Sequence, residues 1–173
     1  MQPSAASTGG DLAVRPGIFV IRLEAEKAEY KVGDRINLRI TLLNRSRQHF
    51  AILRRPPYAI TRLDVLDKAQ QPVSQRADIG GPPFSISTRD VTEFSPGQAI
   101  TQVYRDPERS IKPQEWVDIK SWGYDLSEPG DYTITAIPVF TAFERAEDGH
   151  IIGPFFTPSP ADRSNAVHVK IVK

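Results

Sequence analysis

Apolar and polar residues alternate with a period of two through most of this chain, the pattern of strands with one buried face. Ile36, Leu38, Ile40 and Leu42 fall on one side of such a run, and Asn37, Arg39 and Thr41 on the other. Val167, Val169 and Ile171 repeat the pattern near the end, with His168 and Lys170 expected to face solvent. Val117 and Ile119 do the same, as do Phe19, Ile21 and Leu23, and no stretch carries a convincing helical period. Fifteen prolines and eleven glycines cut these runs into short strands, as a sandwich or barrel requires.

The punctuation between the runs has readable chemistry. Lys31-Val-Gly-Asp34 predicts a bend in which Gly33 is free to take positive φ. Leu66 to Val73 reads as a hairpin, Ser95-Pro-Gly-Gln98 as a Pro-Gly turn, and Glu147-Asp-Gly149 as a hairpin tip. The stretch from Arg76 to Ser110 has the weakest pattern, with irregular strands expected near 84–87 and 99–105. At Leu126-Ser-Glu-Pro-Gly-Asp-Tyr132, Pro129 fixes φ and Gly130 is expected to supply a conformation that a side chain would forbid. The chain can then cross between sheets, with Tyr132 filling the core and returning its hydroxyl to upstream backbone.

This Leu-x-x-Pro-Gly-x-Tyr corner resembles that of bacterial immunoglobulin-like domains, in which the tyrosine locks the turn. Tyr30-Lys-Val-Gly-Asp to Asn44 resembles the same family's turn and second strand, and Ser164-Asn165 before Val167 resembles the entry to its last strand. The resemblance implies an all-β, immunoglobulin-like antiparallel sandwich of about seven to nine strands with Greek-key connections. It implies no function, because that fold hosts many.

Length and composition narrow the rest. At 173 residues a single domain is expected, here residues 16–173 behind a flexible leader at 1–15. The absence of cysteine excludes disulfides, thiolate metal sites and a cysteine nucleophile. A net charge of +1 favours neither nucleic acid nor an acidic disordered tail, and no apolar run is long enough to span a bilayer. Gln2 to Gly10, polar and containing Pro and Gly, resembles the spacer after a removed signal peptide, so a periplasmic or secreted location is expected; a cytoplasmic start with a floppy tail is the alternative.

Charge is nevertheless uneven. Between Arg35 and Leu63 stand seven arginines (35, 39, 45, 47, 54, 55 and 62) and no Asp, Glu or Lys. Guanidinium groups suit carboxylates, sulfates and phosphates and stack on rings. One reading is an anion-recognising surface centred on a loop from Arg45 to Tyr58. The other is a solvated segment whose arginines pair with Glu24, Glu26 and Glu29 on a neighbouring strand.

A second anomaly follows Pro138, where proline breaks a central strand yet Val139, Phe140 and Phe143 continue towards the turn. Ile151, Ile152, Phe155 and Phe156 return, which predicts an extended hairpin beyond the sandwich. Immunoglobulin topology would place this hairpin at the same pole as the arginine-rich loop. The candidate binding surface is therefore Arg45, Arg47, Phe50, Arg54, Arg55, Tyr58, His150, Phe155 and Phe156, a composition enriched in binding hot spots. The bland alternative is that the rings fold under and seal the end of the sandwich. Trp116 and Trp122, six apart on one expected strand with Asp118 and Lys120, would form either a sugar-stacking platform or a core edge.

Catalytic chemistry has little support. His49, His150 and His168 lie at no metal-ligand spacing, and there is no nucleophile elbow, phosphate loop or calcium loop. No catalytic residue, metal or cofactor is expected. The sequence thus predicts a non-enzymatic recognition or accessory domain for a protein or other macromolecule, an acidic one included, with Leu126, Pro129, Gly130 and Tyr132 as structural corner. Two alternatives remain open: a protease inhibitor acting through a protruding loop at Ile151 to Pro160, and a carbohydrate-binding module using the tryptophans.

Overall fold

The computed structural model describes residues 17–53, 61–76, 91–101, 116–146, 148, 150–156 and 162–173; side chains at 53, 91, 92, 101 and 151–156 lie outside that description. Twelve strands are described: β1 (Phe19–Ala25), β2 (Glu29–Lys31), β3 (Asn37–Asn44), β4 (His49–Leu53), β5 (Thr61–Leu66), β6 (Val91–Phe94), β7 (Ala99–Thr101), β8 (Val117–Asp118), β9 (Gly130–Pro138), β10 (Thr141–Arg145), β11 (Ile151–Phe156) and β12 (Val167–Val172). The chain is all-β, as the period-two pattern predicts. Ile36, Leu38, Ile40 and Leu42 are all buried, while His168 and Lys170 are exposed.

The described strands form three four-stranded sheets. One runs β1-β3-β7, with β8 also on β3; a second runs β2-β12-β9-β5; the third runs β11-β10-β4-β6. All pairings are antiparallel except that of β2 with β12. The first two sheets contribute the inward residues of a shared core, among them Leu23, Leu38 and Ile40 from one and Leu63, Ile134 and Val169 from the other. This fits a β-sandwich. The third sheet grows out of both: β3 runs on into β4, and β9 into β10. Its Phe50, Ile52, Phe94 and Ala142 close one end of the same core.

The breaks that separate these strands are local. Leu43 pairs with Ala99 and Phe50 with Phe94, so one strand spends seven residues where its partner spends five. The two extra residues bulge between 44 and 49, and such bulges bend a strand and redirect it. Asn44 fills the gap this leaves. It is fully buried, its Nδ2 donates to the carbonyls of Gln48 (2.9 Å) and Phe94 (3.1 Å), and its Oδ1 accepts from the Ser46 amide (3.0 Å) and hydroxyl (2.7 Å). A buried amide satisfied on both ends costs little, whereas an unsatisfied one costs much.

A comparable device closes the seam between the first two sheets. Asn165 accepts from the Leu23 amide at 3.0 Å and donates to the Leu23 carbonyl at 2.9 Å, standing in for a neighbouring strand at the outer edge of β1. Beside it, buried Ser164 accepts from the Ala136 amide at 2.9 Å and donates to the Asn165 carbonyl at 2.7 Å.

Most expected turns form. Gly33 has φ of 92° and Gly97 of 71°, the latter in the Ser95–Gln98 turn closed by a 3.0 Å backbone bond. The Leu66–Val73 hairpin closes through Asp67, with Gln70 in the left-handed region at φ 58°. Gly130 is a correction. It lacks positive φ and simply opens β9 opposite Ile171; a side chain there would only reach van der Waals contact with the Tyr132 ring. The expected leader, the strand near 84–87 and the chain beyond Thr101 up to Glu115 fall outside the described residues. No described helix is long and apolar enough to cross a membrane.

Candidate functional site

The corner and the third sheet lie at opposite ends of the β9–β10 run. At the corner end, the Tyr132 hydroxyl donates to the carbonyl of Glu128 at 2.8 Å, and burial pushes its phenol above the ordinary tyrosine value. Leu126 is buried beside it, and Tyr124 donates to the Leu63 carbonyl at 2.9 Å. These groups are internally satisfied and belong to the scaffold.

At the other end, β4 and the β10–β11 hairpin lie side by side. His49 pairs with Arg145, Phe50 with Glu144 and Ala51 with Phe143, while Phe143 also pairs with Phe155 and Ala142 with Phe156. The hairpin closes with Ala146 donating to the His150 carbonyl at 2.9 Å, and Asp148 Oδ1 accepts from the His150 amide at 3.0 Å. The sheet therefore brings the Arg45–His49 segment and the hairpin tip together, and Arg45, Arg47, His49 and His150 are all exposed there.

Phe50 is not part of that surface. It is fully buried, with its ring edge-on to Phe19 at 5.0 Å, and Phe19 also meets Phe94 (5.7 Å) and Phe140 (5.4 Å). The reason is alternation: β4 begins at His49, not beyond Tyr58, so Phe50 and Ile52 point inward. The opposite face of this sheet is also closed, since Ala51 and Phe143 are buried. Arg54, Arg55 and Tyr58 lie outside the described residues, as do the side chains of Phe155 and Phe156.

The tryptophans form no common platform. Strand β8 ends at Asp118 and the chain turns into a single 3-10 turn, Ile119–Trp122, capped by the Asp118 carboxylate on the Lys120 amide at 3.1 Å. Trp122 is buried in the core. Trp116 is half-buried, and the Arg39 guanidinium lies 4.5 Å from its ring centroid. Arg39 also bonds Glu24 at 2.9 Å, which is the strand-pair neutralisation expected for part of the arginine run.

Around the hairpin the charges are interleaved. Arg47, Gln48, His49, Glu144, Arg145 and Asp148 line a shallow, open groove. Gln48 donates to Glu144 at 2.8 Å, and Arg145 pairs with Glu93 across β4 at 3.0 Å. Arg45 and Arg47 have no carboxylate partner among the described residues. Sequence reasoning misses Gln48, Glu144, Arg145, Asp148 and Glu93, because only the β4–β10–β6 register brings them together. The Asn44-x-Ser46 spacing, which favours an Asx turn, is the one local signal for the bulge that presents Arg45 and Arg47. Among the described residues no group of His, Asp and Glu is placed to hold a metal ion.

No family model matches this chain, and no curated protein matches it. A solved β-glucosidase from Erythrobacter marinus superposes on 89% of the chain with 16% identity and a TM-score of 0.38. The chain spans 15% of that protein's length, and so loose a likeness carries no argument about fold or activity.

Proposed function

We propose that this protein is a non-enzymatic recognition domain that binds a protein partner through the pole formed by the Arg45–His49 bulge and the β10–β11 hairpin. The observation that carries the reading is the pair of exposed guanidinium groups, Arg45 and Arg47, held on a bulge whose backbone is fixed by buried Asn44 and without carboxylate partners among the described residues. A rigid loop presenting arginines loses little entropy on binding, and arginine is enriched among the residues that dominate interface energies.

The test compares immobilised wild type, Arg45→Ala/Arg47→Ala and a control altered at the corner pole, Asp131→Ala/Lys170→Ala. Each is incubated with extract of the source organism, and captured proteins are quantified by mass spectrometry. A partner retained by wild type and the control but depleted about tenfold on the arginine variant supports the reading. Equal capture by all three removes it.

A further inference from the structure

The arginine-rich segment suggests a site for polyanions, but the folded groove has a different character. Among the described residues that line it, two arginines, Arg47 and Arg145, and two carboxylates, Glu144 and Asp148, cancel in formal charge. Arg145 is already matched by Glu93, and Glu144 by the Gln48 amide, at 3.0 Å and 2.8 Å. Arg47 and Asp148 remain as exposed, opposite charges lining the groove, the first on the bulge and the second at the hairpin tip. The Asp148 side chain accepts only the neighbouring His150 amide through Oδ1 among the described residues.

We infer that this groove selects a protein segment of mixed charge, with an acidic side chain for Arg47 and a basic one for Asp148, rather than a polyanion. The inference rests on the recognition reading above. A nucleic-acid backbone carries a charge about every 1.7 Å of duplex, so one seated along this groove would meet Asp148 and Glu144 as well as the arginines. Like charges brought together at an interface cost enough to exclude a wrong partner, whereas alternating charges set register and specificity. The open form of the groove suits a chain segment lying across it, since small-molecule sites enclose most of their ligand.

Fluorescence anisotropy with labelled peptides of equal length, alternating Glu-Lys, all-Glu and all-Lys, plus a single-stranded DNA oligonucleotide, tests this on the full chain. The alternating peptide binds about tenfold more tightly than any uniform probe at physiological salt. Arg47→Glu and Asp148→Lys each weaken it about tenfold, and the double variant, which exchanges the two charges, returns to within about threefold of wild type. That rescue separates charge matching from damage to the fold, and both positions are exposed. Tighter binding of the all-Glu peptide or the oligonucleotide, or a double variant no better than the singles, overturns the mixed-charge inference while leaving a recognition role intact. Binding of none of the probes overturns the inference, and normal partner capture in the extract experiment would then show that the recognition reading survives it.

Discussion

The Arg39 guanidinium lies between two partners of different kinds, the Glu24 carboxylate at 2.9 Å and the Trp116 ring at 4.5 Å. Arg22 adds a weaker contact to the same carboxylate at 3.6 Å. The Arg39 hydrogen bond, opposed by partial burial and helped by the charges of Arg39 and Arg22, holds the Glu24 carboxyl below its ordinary value. A carboxyl depressed in the folded state contributes stability that is present above its unfolded value and lost as pH falls through the folded one. Glu24→Gln should therefore lower stability near neutrality by about 0.5 kcal/mol, a small effect because the pair is partly solvated. The gap should narrow as the pH falls below the ordinary glutamate value of about 4.3 and close only below the depressed folded one, where the wild-type carboxyl is neutral too. Urea unfolding of both proteins from neutral to acid pH reads this directly; a gap that does not change with pH would assign the loss to packing on Trp116 instead.

At the scale of elements, the decisive events are the interruptions between strands rather than the strands. Period-two alternation locates β1, β3 and β12 because each has one face in the core and one towards solvent, and the corner motif marks the start of β9. Alternation fails where both faces of a strand are closed. In β4 and β10, Ala51 and Phe143 are buried on one side, and Phe50 and Ala142 on the other. Such runs carry no alternation to read, so His49–Leu53 passes for part of a long loop, whereas Trp116 to Trp122 misleads the opposite way, since Val117 and Ile119 alternate but the chain turns after Asp118. Asn44 shows what the interruption demands. Its amide answers the Gln48 and Phe94 carbonyls and the Ser46 amide where the β3–β4 and β6–β7 ladders fall out of step. Asn44→Ala removes these bonds, including the buried one to the Phe94 carbonyl, and should cost about 3 kcal/mol. Hydrogen exchange should show the loss first at the Gly97 amide, which donates to the Asn44 carbonyl at 2.9 Å, and in the adjoining residues of β4. A global loss under about 1 kcal/mol with unchanged local protection would mean that water replaces the side chain there.

For the molecule as a whole, the third sheet makes the described part of the arginine-bearing pole a closed end of the core. The aromatic half of the surface expected from sequence is thereby divided: Phe50 belongs inside with Phe19, Phe94 and Phe140, while Arg45, Arg47 and His150 stay outside. Stability and recognition should then separate by mutation at neighbouring positions. Phe50→Ala removes a fully buried ring where the sheets converge and should cost about 3–5 kcal/mol, enough to unfold a domain of ordinary stability. Phe50→Leu keeps most of the volume and should lose less, leaving a folded protein in which partner capture is unchanged. Arg45→Ala/Arg47→Ala should do the reverse, with an unfolding free energy within about 0.5 kcal/mol of wild type and weakened capture. Chemical denaturation and capture measured on the same preparations decide the point. Folded Phe50→Leu protein that loses its partner in proportion to the arginine variant would put the ring back into the recognition surface.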